Sequence, residues 1–363
     1  MKKMIFFYPA HLKWSEKFAS SIRPLRLRKA FENAGYVPQV ISGGIDERRS
    51  KLSGIDFSEV EFAYGENLTV PLFLADGKKY FWENFLFWSD FFYILRRKNI
   101  PCGIFVRDVH WLFPELMSIN YNFLERLLIK PFYILEYYLY YLYLDRIFVP
   151  SLKMAEEIPG YEIFQRKFVE LPPGADSEFL SLTYSHGNLD VIYMGGLIGH
   201  YDMPVVAELI KEKMDGINWH FFVREEEWKS FSAKYNIYAD SRVKVYFLDR
   251  DGIKKRLVSL SPLLLYFPAP FSYNKFARSG KVMDAVSWGI PVILPSFHGD
   301  AEFVREKGAG WVIPYDKERL KNLLIFLRDH PEELRRVSER LKRVAEEESW
   351  ERRAEFVVRT LLG

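Results

Sequence analysis

Short apolar runs alternate with amphipathic stretches along this chain, and the alternation occurs in two successive series. That is the pattern of parallel α/β units, in which strand, helix and strand succeed one another. In the first series "MIFFY", "VPQVIS", "CGIFVRD" and "RIFVPS" read as strands. Between the first two, "RPLRLRKAFENAG" reads as a helix with Pro24 near its first turn and Gly35 as its stop. Before the fourth strand lies an aromatic helical segment, "FLERLLIKPFYILEYYLYYLYL". The series breaks at "FVELPPGADSEF", where two prolines and a glycine mark a domain boundary.

The second series runs "DVIYMGG", a helix near 203–214, "NWHFFVR", "RVKVYFL" and "PLLLYF". A helix from 280, "PVILP", a helix beginning around 300 and "GWVI" complete it. The remainder is helical and charged, with a bend expected at Trp350 and a terminal amphipathic segment, "RRAEFVVRTLLG", over 352–363. The expectation is an α/β protein of two doubly wound domains, 1–172 and 173–348. Ligands of such folds bind at the carboxyl ends of the strands, which here would line a cleft.

Composition narrows the function. The 363 residues suffice for two domains with cores of their own. A single cysteine, Cys102, excludes a disulfide framework and a cysteine-based metal cluster. The net charge of +3 gives no concentrated basic stripe, so no nucleic-acid partner is expected. The excess lies in residues 1–175, with 23 Lys and Arg against 20 Asp and Glu. "MKKMIFFYPAHLKWSE" is too short in apolar length for a signal-peptide core of roughly 7–15 residues. No stretch reaches the roughly 18 consecutive apolar residues of a membrane span, and a cytoplasmic protein is expected. Two glutamines among abundant Lys, Arg and Glu resemble the usage of proteins from hot environments.

The stretch "ARSGKVMDAVSWGIPVILP" (277–295) carries the sharpest chemical signal. A helix start favours an acid, yet Ser279 and Gly280 are followed by Lys281. The bland reading is an i,i+3 pair of Lys281 with Asp284 on a solvated face. The flanking buried-strand patterns instead bring this helix start to the carboxyl edge of a parallel sheet. There the lysine can meet a diphosphate, and Asp284, one turn on, can accept ribose hydroxyls.

"KVMDAVSWGIPVILPSFHGDAEFVREKGAGWVI" resembles the donor-site stretch of GT-B glycosyltransferases of the group 1, family 4-like kind. The family pattern is K-x-x-E-x-x-x-x-G-x-P-V, then G-x-x-E-x-V and G-x-G. Ser279-x-Lys281 is also similar to the donor motif of bacterial glucuronosyltransferases. The resemblance implies two Rossmann-like domains facing a central cleft, with 1–172 binding the acceptor and 173–348 the donor. The helix in 349–363 would pack back on the first domain. The donor would be a nucleotide-diphosphate sugar, foremost a UDP- or GDP-sugar, used without a metal or other cofactor. The acceptor would be a hydroxyl of a glycan or lipid-linked molecule. Ser279, Gly280 and Lys281 match the phosphate contacts, Asp284 the ribose carboxylate, and Glu302 the "G-x-x-E" acid. His298 in "SFHGD" opens a further helix and is a candidate sugar contact.

Two departures stand out. Phe276 occupies the place of the family's first glutamate, and "GGLIGHYD" stands where an arginine and a lysine usually neutralise the diphosphate. Lys281 and Arg224 are the replacement candidates. Gly195 and Gly196 end a strand and would let a ligand approach, or form an ordinary turn. With Gly199 they make no G-x-G-x-x-G, so a dinucleotide oxidoreductase is weakly supported. Asp249 in "LDRDG" reads as a helix cap rather than a metal ligand, in a loop that the resemblance places near the nucleobase.

In the first domain Asp108 and His110 end "IFVRDVHWLFP", on one side if the strand continues that far. Asp108 is the first candidate general base and His110 the second, against a turn-capping Asp and a His packed on Trp111. His11, in the loop after the first strand, is a candidate acceptor contact. The aromatic segment 132–144 invites the reading of a helix lying in a membrane interface, but its rings on every side favour core packing. The basic run Arg96-Arg97-Lys98 is the candidate for peripheral contact with the inner face of a membrane. Two other readings stay open: a non-catalytic nucleotide-sugar-binding protein, and a GT-B nucleotide-sugar epimerase. A phosphorylase of the usual kind needs a longer chain with a pyridoxal-binding lysine.

Overall fold

The computed structural model describes residues 2–12, 19–120 and 123–363. The chain forms two compact units, one of Met1–Pro172 with Trp350–Gly363 and one of Pro173–Ser349.

The first unit is built on a six-stranded parallel sheet, in the order β2-β1-β3-β4-β5-β6. Its strands are β1 (Lys2–Phe7), β2 (Tyr36–Ile41), β3 (Val60–Glu66), β4 (Cys102–Phe105), β5 (Arg146–Val149) and β6 (Phe168–Glu170). The order reverses at β1, which lies between β2 and β3, with Phe7 opposite both Ile41 and Gly65. The Phe7 ring passes where a side chain at 65 would stand, so that strand position takes only glycine. The ring then packs against Trp88, Phe91 and Phe92 of the Phe81–Arg97 helix. On another part of the unit, Trp350, Ala354, Val357 and Leu361 of the last helix join Phe31, Phe62, Tyr64 and Phe148 in one buried cluster. Arg48, fully buried, ties together the Pro9 carbonyl, Asp76 and Asn84.

Three details differ from the sequence expectation. The first helix starts at Ala19, more than a turn before Pro24, which therefore lies inside it. The strands β3 and β6 were not foreseen: Glu61, Gly65 and Glu66 interrupt the apolar pattern of β3, and Phe168–Glu170 belongs to the stretch read as the domain boundary. The aromatic helix Phe123–Tyr143 is not buried all round. It buries Tyr133, Tyr137, Tyr140 and Tyr141 but leaves Ile134, Tyr138 and Leu142 exposed.

The second unit has a six-stranded parallel sheet in the order β12-β11-β10-β7-β8-β9. Its strands are β7 (Leu189–Met194), β8 (Ile217–Phe222), β9 (Val243–Tyr246), β10 (Pro262–Leu265), β11 (Val292–Pro295) and β12 (Gly310–Ile313). This is the doubly wound Rossmann order. Every residue of β7, β10 and β11 is buried, as a parallel sheet covered on both faces requires. Between β7 and β10 the strand order reverses, with Ile192 opposite Leu264. At such a point the loops leaving the two strands diverge to opposite faces and open a crevice at the carboxyl edge.

Candidate functional site

The crevice of the second unit is bordered by the chain segments that leave β7 and β10. After β7 the chain turns at Gly195 (φ +104°) and Gly196. After β10 it loops to the helix Gly280–Trp288. Ser279 caps that helix, its Oγ accepting the Lys281 N–H at 3.2 Å. The Ser279 N–H donates to Asp300 Oδ2 at 2.7 Å, and Asp300 Oδ1 pairs with Arg278 Nε at 3.1 Å. A side chain at Gly280 would meet nothing within 4 Å, so the helix start faces open space.

Lys281 turns back from this start across the β7 turn. Its Cε lies 2.6 Å from where a Cβ on Gly195 would sit, so any larger residue there would collide with it. Its ammonium lies 3.9 Å from the Tyr201 ring centroid and 5.0 Å from that of Tyr266. Among the described residues no carboxylate comes within ion-pair distance of it. The i,i+3 pair with Asp284, the bland alternative, does not form, because Asp284 is held by the partly buried Arg250. Burial, reinforced by the charge of Arg224, pushes the Lys281 pKa down to about 8, although Asp284 and Glu227 oppose the shift. A cation kept partly desolvated, without a counter-ion, at a helix start is poised for an anion.

His298 completes the lining. Its ring is buried and meets Tyr266 edge-on at 4.9 Å. Its Nδ1 accepts the Asp300 N–H at 3.1 Å, which leaves the ring proton on Nε2. Among the described residues that buried Nε2 has no partner. Burial and the nearby Lys281, Arg278 and His200 push the pKa down to about 3, so the ring is neutral and Nε2–H is an unspent donor.

The other residues singled out in this unit have different surroundings. Arg224 is 79% exposed and paired with Glu227. Glu227 also accepts the Leu197 N–H at 2.6 Å and so fixes the glycine turn. Asp249 caps the Arg250–Leu257 helix, accepting the Gly252 N–H at 2.9 Å. Glu302 stands exposed in the first turn of Ala301–Lys307. Phe276 is buried against Tyr273, at a centroid distance of 5.1 Å. The sequence reading missed Arg250, whose guanidinium lies 4.8 Å from the Trp288 ring centroid and bonds Asp176 at 2.8 Å as well as Asp284. Its partners are distant in the chain and leave no local signal.

In the first unit β4 ends at Phe105, so strand alternation does not place Asp108 and His110. A turn does. Asp108 Oδ1 accepts the His110 N–H at 3.2 Å and also bonds His110 Nδ1. Burial raises the Asp108 carboxyl, but the His110 bonds and the Arg107 charge outweigh it and hold the pKa below the ordinary carboxylate range. Asp108 accepts from His110 Nδ1 and so orients the ring, which leaves Nε2 without the ring proton. Nε2 lies 3.4 Å from Tyr133 Oη, whose own proton goes to the Thr69 carbonyl at 2.5 Å. Trp111 stacks on Tyr133 at 4.9 Å. His11 is exposed, 3.8 Å from Glu47, and residues 13–18 of the expected acceptor loop lie outside the described residues.

No family model matches the chain, and no curated protein matches it. Solved structures do match over its full length. Sucrose-phosphate synthase from Thermosynechococcus elongatus superposes with a TM-score of 0.66 at 10% identity, covering 99% of this chain and 98% of that one. HepE from Anabaena, solved with UDP and glucose, gives 0.62 at 12% identity, with 99% of each chain covered. WaaG, a glycosyltransferase of lipopolysaccharide biosynthesis, gives 0.59 at 13%, covering 99% of this chain and 100% of that one. At these identities the likeness is one of architecture: the chain has the GT-B fold, two Rossmann-like units each built on a six-stranded parallel sheet.

Proposed function

We propose that the chain is a glycosyltransferase that moves a hexose from a nucleotide-diphosphate sugar to a hydroxyl of a glycan or lipid-linked acceptor. The observation that carries the reading is Lys281, a partly buried cation at an open helix start with no carboxylate partner among the described residues. In this reading the second unit, within 173–348, holds the donor. Lys281 and the N–H groups at the 280 helix start take the diphosphate and stabilise its charge as the sugar–phosphate bond breaks. The His298 Nε2–H is a second donor to the same ligand. Asp284, steadied by Arg250, is the ribose carboxylate. UDP is the first nucleotide to test, since HepE was solved with it.

The first unit supplies the acceptor site and the base. His110 Nε2 takes the proton of the acceptor hydroxyl as its oxygen bonds the anomeric carbon, and Asp108 stabilises the imidazolium. The Asp108–His110 pair favours a catalyst over a binding protein without turnover. Calorimetric titration with UDP, GDP, ADP, dTDP and CMP tests the donor half. Saturable binding of one diphosphate in preference to the others is expected. Equal or absent binding of all five contradicts the reading.

A further inference from the structure

The first unit exposes an apolar surface where its sequence offers few charges to cover it. Residues 131–144, "PFYILEYYLYYLYL", contain one charged residue, Glu136. That residue points inward, 2% exposed, and accepts the Leu72 N–H at 2.7 Å. The outward side of the Phe123–Tyr143 helix is therefore wholly uncharged over these turns, with Ile134, Tyr138 and Leu142 exposed. Alongside it runs the Phe81–Arg97 helix. Phe81 meets Phe132 at 5.1 Å and, further along both, Phe92 meets Tyr140 at 6.3 Å. The two helices thus lie side by side in the same direction. The second one exposes Trp82 (68%), Leu86 and Tyr93.

Basic charge frames this surface, and one exposed acid, Asp90, lies within it between Leu86 and Tyr93. Lys78 and Lys79 precede the Phe81–Arg97 helix, and Arg96, Arg97 and Lys98 end it, all exposed. Glu83 and Asp90 are the acids of the same stretch, so 78–98 carries a net charge of +3. At the basic end Tyr93 and Arg97 share one side of the helix, the Arg97 guanidinium bonding Tyr93 Oη at 3.2 Å. A two-fold pairing of two such faces would set basic end against basic end in either orientation. An anionic bilayer surface fits both parts of the pattern. Trp and Tyr sit at the headgroup level, apolar side chains enter the acyl boundary, and lysines and arginines reach lipid phosphates.

We propose that the exposed faces of the Phe81–Arg97 and Phe123–Tyr143 helices form a docking surface for an anionic lipid bilayer, held by Trp82, Tyr138 and Leu142 and by the Arg96–Lys98 cluster. The proposal goes beyond the glycosyltransferase reading and does not depend on it. No helix among the described residues is long and apolar enough to cross a membrane, so the contact is a peripheral one.

Vesicle flotation of the full chain tests it, with phosphatidylcholine alone and with phosphatidylcholine mixed with phosphatidylglycerol. Binding to the anionic vesicles is expected, weaker by at least about tenfold on phosphatidylcholine and reduced by salt. Replacing Arg96, Arg97 and Lys98 together by Gln should weaken binding about 100-fold, at roughly fivefold for each charge. Trp82→Ser, Tyr138→Ser and Leu142→Ser combined should also abolish flotation without lowering the unfolding temperature. If the wild type fails to float, or both variants float equally well, the proposal is overturned. It is equally overturned if sedimentation velocity shows a dimer that the serine variant dissociates while vesicles bind nothing, since a second copy would then be the occupant.

Discussion

Lys281 sits over two phenol rings with no carboxylate in ion-pair distance among the described residues, and the fold bears the cost of keeping it there. Its folded pKa of about 8 lies below the ordinary 10.5, so the unfolded chain holds the proton more tightly. The cost is therefore full below about pH 8 and fades as the pH rises towards 10.5. Replacing this lysine by methionine should raise stability at pH 7 by about 1–3 kcal/mol, read by chemical denaturation, with a smaller gain at pH 10. Unchanged or lowered stability at neutral pH would show that the ammonium is well solvated. The same pKa bears on ligand affinity. Diphosphate binding should weaken up to about tenfold between pH 7 and 9 as the unliganded lysine loses its proton, and Lys281→Arg should remove that dependence. The position of Lys281 was legible in the sequence because helix starts rarely carry a lysine. The bland alternative, an i,i+3 pair with Asp284, does not form, because Arg250 holds Asp284 from 34 residues away.

At the scale of elements, the glycine turn after β7 and the helix start after β10 are built around one another. Gly195 combines a left-handed backbone with a Lys281 methylene in the space of its missing side chain. Gly195→Ala should cost about 1–2 kcal/mol in stability and weaken diphosphate binding at least about tenfold, measured by thermal unfolding and titration. Retained affinity would mean that Lys281 has other routes to its ligand. The central strands β7, β10 and β11 were legible as largely apolar runs, because both faces of the sheet are covered there. β3 was not, since Glu66 is a buried acid that Arg23 and Arg107 neutralise from distant segments. Asp108 and His110 were singled out from the sequence on strand alternation, and β4 ends short of them. A turn, rather than strand alternation, decides which of the two orients the other.

For the whole molecule, the chain returns from the second unit to the first through Trp350–Leu362. The buried Leu361 belongs to the first unit's core, far in sequence from its neighbours Phe62 and Phe148. Leu361→Ala should destabilise the first unit by about 2–4 kcal/mol while leaving diphosphate binding by the second intact. Loss of that binding in a folded variant would contradict the division of labour. Doubly wound architecture was legible in the order of apolar runs. The two-faced character of the Phe123–Tyr143 helix was not, because aromatic residues on all sides hide which face the sheet covers.

The central claim is that the 280 helix start and Lys281 form a diphosphate site, and one titration tests it most directly. The wild type and Lys281→Met are titrated calorimetrically with UDP at pH 7, each shown to be folded by its unfolding transition. The account predicts saturable binding to the wild type, weakened about 30-fold or more in the variant, as loss of a charge-assisted contact of about 2 kcal/mol or more implies. Equal affinity in the two proteins would make the segment Ser279–Asp284 an ordinary capped helix start and would remove the basis for the proposed reaction.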